Sequence, residues 1–207
     1  MESSSITTII LGLAAVVGIA VSAVALKKSG SQKTKELAEH LQRLNIPAQL
    51  LDESSIAGKA GLKTSWWSKS TGVVKVAGRV VEFINITGVA TQYGVQYYLD
   101  YLVRQSNLTG RHKIRKTKMR KKRDSMLIGR VVDIEWSGDT VLAQKLNYDY
   151  ELKDKLTQID FKKLKTGIVI YPDPKYEYTR IRTPYVLPDH QFLDAIDGIA
   201  RNIKSGL

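Results

Sequence analysis

From Ile6 to Leu26 the chain runs for 21 residues without a charged side chain, ITTIILGLAAVVGIAVSAVAL. Wound as a helix at about 1.5 Å per residue, that run is roughly 30 Å long, the hydrocarbon thickness of a bilayer. A backbone in lipid must satisfy its own polar groups, so the segment predicts a single transmembrane helix, residues 6–26. Residues 1–5 form a short tail whose only charge is Glu2, whereas Lys27, Lys28, Lys33 and Lys35 follow the apolar run. By the positive-inside rule the N-terminus lies outside and the remainder is cytoplasmic. Ala23-Val24-Ala25 offers a competing A-x-A signal-peptidase site, but an acidic residue where lysine or arginine is usual, and the length of the run, favour a retained signal-anchor. Were the segment cleaved, Asn85-Ile86-Thr87 and Asn107-Leu108-Thr109 would become candidate glycosylation sequons. Within the helix, Ala14, Gly18 and Ser22 recur every four residues. Such a small-residue face fits self-association or a membrane partner.

Charge beyond the anchor is segregated. The chain carries +12 and residues 27–207 carry +13, because Glu2 is the only charge before Lys27. Nine of these charges lie in RHKIRKTKMRKKR: Arg111, Lys113, Arg115, Lys116, Lys118, Arg120, Lys121, Lys122 and Arg123. Lys27, Lys28, Lys33 and Lys35 of the tether KKSGSQKTKE account for the other four, so the rest of the domain is neutral in sum. Nine like charges this close repel, which predicts an extended loop, residues 108–125, awaiting an anion. Anionic lipid headgroups suit a domain held at a cytoplasmic leaflet, each basic residue contributing about 1 kcal/mol. The alternatives are an acidic partner protein and nucleic acid. The stretch itself has no aromatic side chain on which a base could stack.

Periodicity gives the domain plan. After the tether, residues 27–36, Leu37, Leu41 and Leu44 keep helical spacing until Pro47, and Leu50 to Leu62 suggests a second short helix in a juxtamembrane segment of residues 37–65. From residue 66, where Trp66 and Trp67 stand together as core or interfacial anchors, an α+β domain extends to residue 207. VVKVAG, RVVEFINIT and YGVQYYLDYLVR alternate as strands, with Val95, Tyr97, Leu99, Tyr101 and Val103 on one face. MLIGRVVDIEW and TVLAQKLNY flank Ser137-Gly138-Asp139, a hairpin signal. Asp149 is placed to cap a helix bearing Leu152, Leu156 and Ile159. GIVIY and YEYTRIRT flank the turn Pro172-Asp173-Pro174-Lys175. A last amphipathic helix begins near Asp189, with Phe192, Ile196, Ile199 and Ile203 on one side. This order implies a mainly antiparallel bent sheet or small barrel packed by the C-terminal helix, of the general pleckstrin-homology-like kind.

Signatures of catalysis are missing. With no cysteine, disulfides, thiolate metal sites and thiol catalysis are excluded. His40, His112 and His190 have no ligand spacing, and His190 with Asp194 and Asp197 reads as a solvated helix start. No phosphate-binding glycine loop, nucleophile elbow or zinc-protease motif occurs. Asp133 with Glu135, and Arg180 with Arg182 beside Tyr176 and Tyr178, each share a strand face and read as solvent sides. The expectation is a membrane-anchored, non-enzymatic interaction or scaffold domain without cofactor or metal, an accessory subunit of a membrane complex, with a membrane-tethered RNA- or ribosome-docking factor as the alternative. An enzyme would instead require Arg180, Arg182 and distant carboxylates to gather in a pocket.

Overall fold

The architecture comes from a computed structural model that describes residues 29–51, 68–104, 115–124, 131–159, 167–173 and 178–205. The anchor segment 6–26, Trp66, Trp67 and the sequon at Asn107 lie outside the described residues. Among the described residues no helix is long and apolar enough to cross a membrane.

Eight strands form one sheet: β1 (Ala48–Leu51), β2 (Ser68–Val76), β3 (Phe83–Thr91), β4 (Gly94–Arg104), β5 (Thr117–Arg123), β6 (Val131–Ser137), β7 (Val169–Asp173) and β8 (Tyr178–Pro184). Their order is β1-β2-β3-β4-β8-β7-β5-β6, so β1 and β6 are its edges. Every pairing is antiparallel. One register row crosses all eight strands through Leu51, Val73, Asn85, Asp100, Arg182, Val169, Lys118 and Ser137. This row serves as an equator. Above it lie the β3–β4 turn at Gln92-Tyr93 and the end of β5, and below it the β2–β3 turn and Arg104.

Among the described residues four helices complete the α+β fold: α1 (29–43), α2 (Thr140–Tyr148), α3 (Tyr150–Thr157) and α4 (His190–Lys204). Strand alternation puts Ile84, Ile86, Leu99, Tyr101, Ile134, Ile170 and Ile181 on one face, in a single buried cluster with Leu37 and Leu41 of α1, Leu142 and Leu146 of α2, Leu152 and Leu156 of α3, and Phe192, Ile196, Ile199 and Ile203 of α4. On the opposite face the apolar cluster among the described residues is small, Leu102 and Tyr178 with Phe83 against them. Arg79 ties the β2–β3 turn to α4 through Asp194 (2.8 Å) and the buried Asp197 (3.0 Å), which also accepts from Val81 N.

Helix α1 runs alongside β2. A Cβ on Gly30 would overlap the Thr71 side chain, Thr34 packs on Gly72, and Ala77 N donates to Pro47 O after the helix has ended. The chain therefore enters α1 from above the equator and leaves it below.

Several sequence expectations hold. Strand β4 falls where the alternation put it, β2 and β3 overlap their expected runs but span Ser68–Val76 and Phe83–Thr91, and α3 and α4 start at Asp149 and Asp189, whose side chains accept from Leu152 N and Phe192 N. Pro172 and Asp173, read as part of a turn, instead end β7 and pair with Thr179 and Tyr178, and Pro174 and Lys175 lie outside the described residues. Others are corrected. Residues 29–36 of the expected tether are the first half of α1, because Gly30 and Thr34 pack tightly on the β2 bulge. Leu50 and Leu51, read as the start of a helix, belong to β1 and pair with Val74 and Val73. TVLAQKLNY is helix α2 and not the second strand of a hairpin: Asp139 accepts from Leu142 N as an N-cap, and Leu142, Ala143 and Leu146 bury one helical face. Residues 117–123 of the expected basic loop are strand β5, which pairs with β6 and β7.

Asp139 also accepts from Arg115 N, and Asp139 N donates to Thr117 Oγ1, so one carboxylate starts α2 and fixes the entry to β5. Asp139→Ala should lower stability by about 2 kcal/mol, the upper range for a lost N-cap. Denaturant unfolding measures the loss, and amide exchange should quicken at Leu142 and Arg115 before other sites.

Candidate functional site

The basic segment is organised by β5. Thr117 and Met119 are buried, while Lys118, Arg120 and Lys122, which alternate with them, are exposed, so these three charges share one face of the strand. Repulsion is offset across the pair with β6: Glu135 stands opposite Arg120 and Asp133 opposite Lys122. Lys122 Nζ lies 3.5 Å from Glu135 and 3.8 Å from Asp133, and Lys153 of α3 reaches Asp133 at 2.8 Å. The carboxylates read as an edge-strand pair are thus counter-charges. The hydrogen bond from Lys153, then that from Ile134 N, holds the Asp133 carboxyl below its ordinary range. Burial lowers the Lys121 ammonium, and the neighbouring Arg123 charge adds to the effect. Lys118, Arg120 and Arg123 are exposed and make no ion pair among the described residues. Arg115 leads into the strand, and Lys116 lies over the Tyr171 ring at 4.9 Å. Arg111, Lys113, Lys27 and Lys28 lie outside the described residues, as do Ala14, Gly18 and Ser22.

The lysines of α1 divide. Lys35 is exposed, whereas Lys33 sits over Tyr185 at 4.3 Å and Tyr97 at 5.3 Å. Tyr185 OH donates to Glu36 and to Lys33 O. Burial and the adjacent Glu36 carboxylate push the Tyr185 phenol up, so it remains a donor. Lys33 is accordingly half-engaged within the protein.

The arginine pair of β8 is not a solvent side. Arg180 is 4% exposed, and Arg182 makes a bidentate pair with the fully buried Asp100 at 2.6 and 2.8 Å. Arg180 Nη1 lies 3.9 Å from the same carboxylate. A hydrogen-bonded line runs from Ser70 to Asn85, Thr87 and Asp100. The Arg182 guanidinium is flanked by Tyr98 at 5.3 Å and Tyr171 at 5.4 Å. Burial disfavours its charge, but the hydrogen bonds and charge of Asp100 outweigh that and raise its pKa. The arginines therefore do gather on a carboxylate from another strand, as an enzyme site would need, but Arg182 directs its donors to a side chain that water does not reach. Tyr176 lies outside the described residues.

The same line closes the Asn85 sequon: Asn85 and Thr87 are fully buried and bonded to each other. His40 Nε2 lies 2.9 Å from Pro188 O, joining α1 to the start of α4, and Asp194 and Asp197 turn to Arg79 rather than to His190. Among the described residues no three His, Asp or Glu side chains are grouped to hold a metal. No protein-family model, no curated protein and no solved structure matches this chain.

Sequence reasoning missed the Asp100–Arg182 pair, 82 residues apart, because neither residue's local pattern points to the other. Asp100→Asn should destabilise by on the order of 3–5 kcal/mol by taking the buried counter-charge from the part-buried Arg182 guanidinium. Arg182→Met in the Asp100→Asn background should cost less than the two substitutions apart, as a double-mutant cycle by urea unfolding measures. At the exposed pair, a carboxyl-carbon NMR titration should find Asp133 ionising below the ordinary carboxylate range, and Lys153→Met should move it back up. Because the folded-state value is depressed, the contribution is present at neutral pH and is lost as pH falls through that value.

Proposed function

We propose that this chain is a single-pass membrane-anchored, non-enzymatic interaction or scaffold domain, an accessory subunit of a membrane complex, whose basic strand engages anionic lipid headgroups at the cytoplasmic leaflet. The observation that carries this reading is the common end of the sheet: Arg120, Lys121 and Arg123 extend above the equator, the end from which the chain enters α1, and the apolar segment 6–26 stops four residues before Gly30. A helix in the bilayer would hold Lys35 and that end of β5 near the headgroups, where each exposed cation contributes about 1 kcal/mol. The pleckstrin-homology analogy rests on strands followed by a helix and assigns no ligand. A second reading, docking to RNA at the membrane, gains one point from the fold: Tyr171, under Lys116, brings to the basic segment an aromatic ring its own sequence lacks.

Flotation of residues 27–207 with phosphatidylcholine vesicles, with and without phosphatidylserine, tests the proposal across a salt series. Binding should require the anionic lipid, weaken with salt, and fall in a variant carrying glutamine at Lys118, Arg120 and Arg123. Indifference to both vesicles would reject the lipid reading, and salt-sensitive retention on single-stranded RNA, lost in the same variant, would favour the second.

A further inference from the structure

We infer that the β3–β4 hairpin is a second membrane contact, its tip entering the headgroup layer of the bilayer that holds residues 6–26. The inference rests on the anchor reading above. Three observations carry it.

The first is reach. Gly30 packs at the level of Thr71, which donates to Ile86 O. From Ile86 the hairpin rises a further five residues to Thr91, roughly 17 Å at about 3.3 Å per residue. Leu26, the last apolar residue, is four residues from Gly30 and at full extension stands no more than about 14 Å away. Whatever conformation those four residues take, a domain whose strands follow the direction of α1 lifts the hairpin tip to or past the end of the apolar segment.

The second is composition. Residues 83–99 contain no charged side chain, although a chain with 25% charged residues would place about four in a window of that length. Charge resumes at Asp100, on the equator, so the upper hairpin is the neutral part of a strongly basic domain. The third is presentation. Tyr93 is 89% exposed at the tip, and the turn beneath it is fixed: Thr91 Oγ1 donates to Gly94 O (2.8 Å) and accepts from Tyr93 N (3.2 Å). An amphipathic ring held outward on an uncharged, hydrogen-bonded turn has the chemistry of the interfacial belt, where tyrosine keeps its hydroxyl in the headgroups and its ring below them.

Because the chain lacks cysteine, single thiols can be introduced without first replacing a native one. The full chain, reconstituted in phosphatidylcholine–phosphatidylserine vesicles, carries a nitroxide at Tyr93→Cys, at Gln32→Cys on the exposed side of α1, or at Ala77→Cys at the opposite end of the sheet. Collision with oxygen, which concentrates in lipid, is compared with collision with a water-soluble nickel complex. The expected result is an oxygen-to-nickel ratio for Tyr93→Cys well above that of Ala77→Cys and at least equal to that of Gln32→Cys. A Tyr93→Cys ratio matching Ala77→Cys, with Gln32→Cys still in the interfacial range, would overturn the inference and leave the anchor standing. Low collision with both reagents would overturn it by showing that protein covers the tip. Water-like values at all three positions would defeat the anchor reading and this inference together.

Discussion

A carboxylate with no exposure to water must be compensated by the protein or take up a proton, and Asp100 is compensated on every side. Thr87 donates from β3, Arg182 grips both oxygens from β8, and Arg180 stands close behind. The alignment of β3, β4 and β8 meets at this one group. A slip of two residues between β4 and β8 would keep the hydrophobic alternation but set either Arg180 or Pro184 opposite Asp100; the shift toward Pro184 strands the charge, so the ion pair excludes a register that apolar packing alone allows. From that register follow the equatorial row and the position of β7, β5 and β6 beyond it.

The basic strand shows a different use of charge. Nine cations in thirteen residues argue for a loop only while their surroundings are ignored. Once β6 supplies Asp133 and Glu135 across the pair, and Thr117 and Met119 turn inward, the strand conformation spaces like charges along one face and answers part of them. The set that makes no ion pair among the described residues, Lys118, Arg120 and Arg123, is smaller than the composition alone suggests.

Much of the fold was legible because its strands alternate cleanly and its helices begin at aspartate caps. Asp149 and Asp189 could be read as caps since helical spacing follows each of them. Asp139 was misread because Ser137-Gly138-Asp139 has the composition of a hairpin turn, and only the burial of Leu142, Ala143 and Leu146 together reveals a helix. Strand β5 was hidden because lysine and arginine mask the alternation of Thr117 and Met119. Contacts between distant residues, such as Arg182 with Asp100 or Arg79 with Asp197, leave no mark in local pattern. Of the candidate site, the residues were legible and their partners were not.

The place of β8 has a consequence in time. Strand β4 pairs with β3 within a hairpin, but its other edge is completed by residues 178–184, far along the chain from it. During synthesis β1 to β4 can form while Asp100 still lacks Arg182 and an open strand edge waits for some 75 further residues to be added. A chain arrested before Tyr178 would be two half-sheets, β1 to β4 and β5 to β7, with no strand to join them. Assembly of the sheet is thus gated by β8, and a ribosome pausing before Tyr178 leaves exposed the surface most prone to pair with another chain.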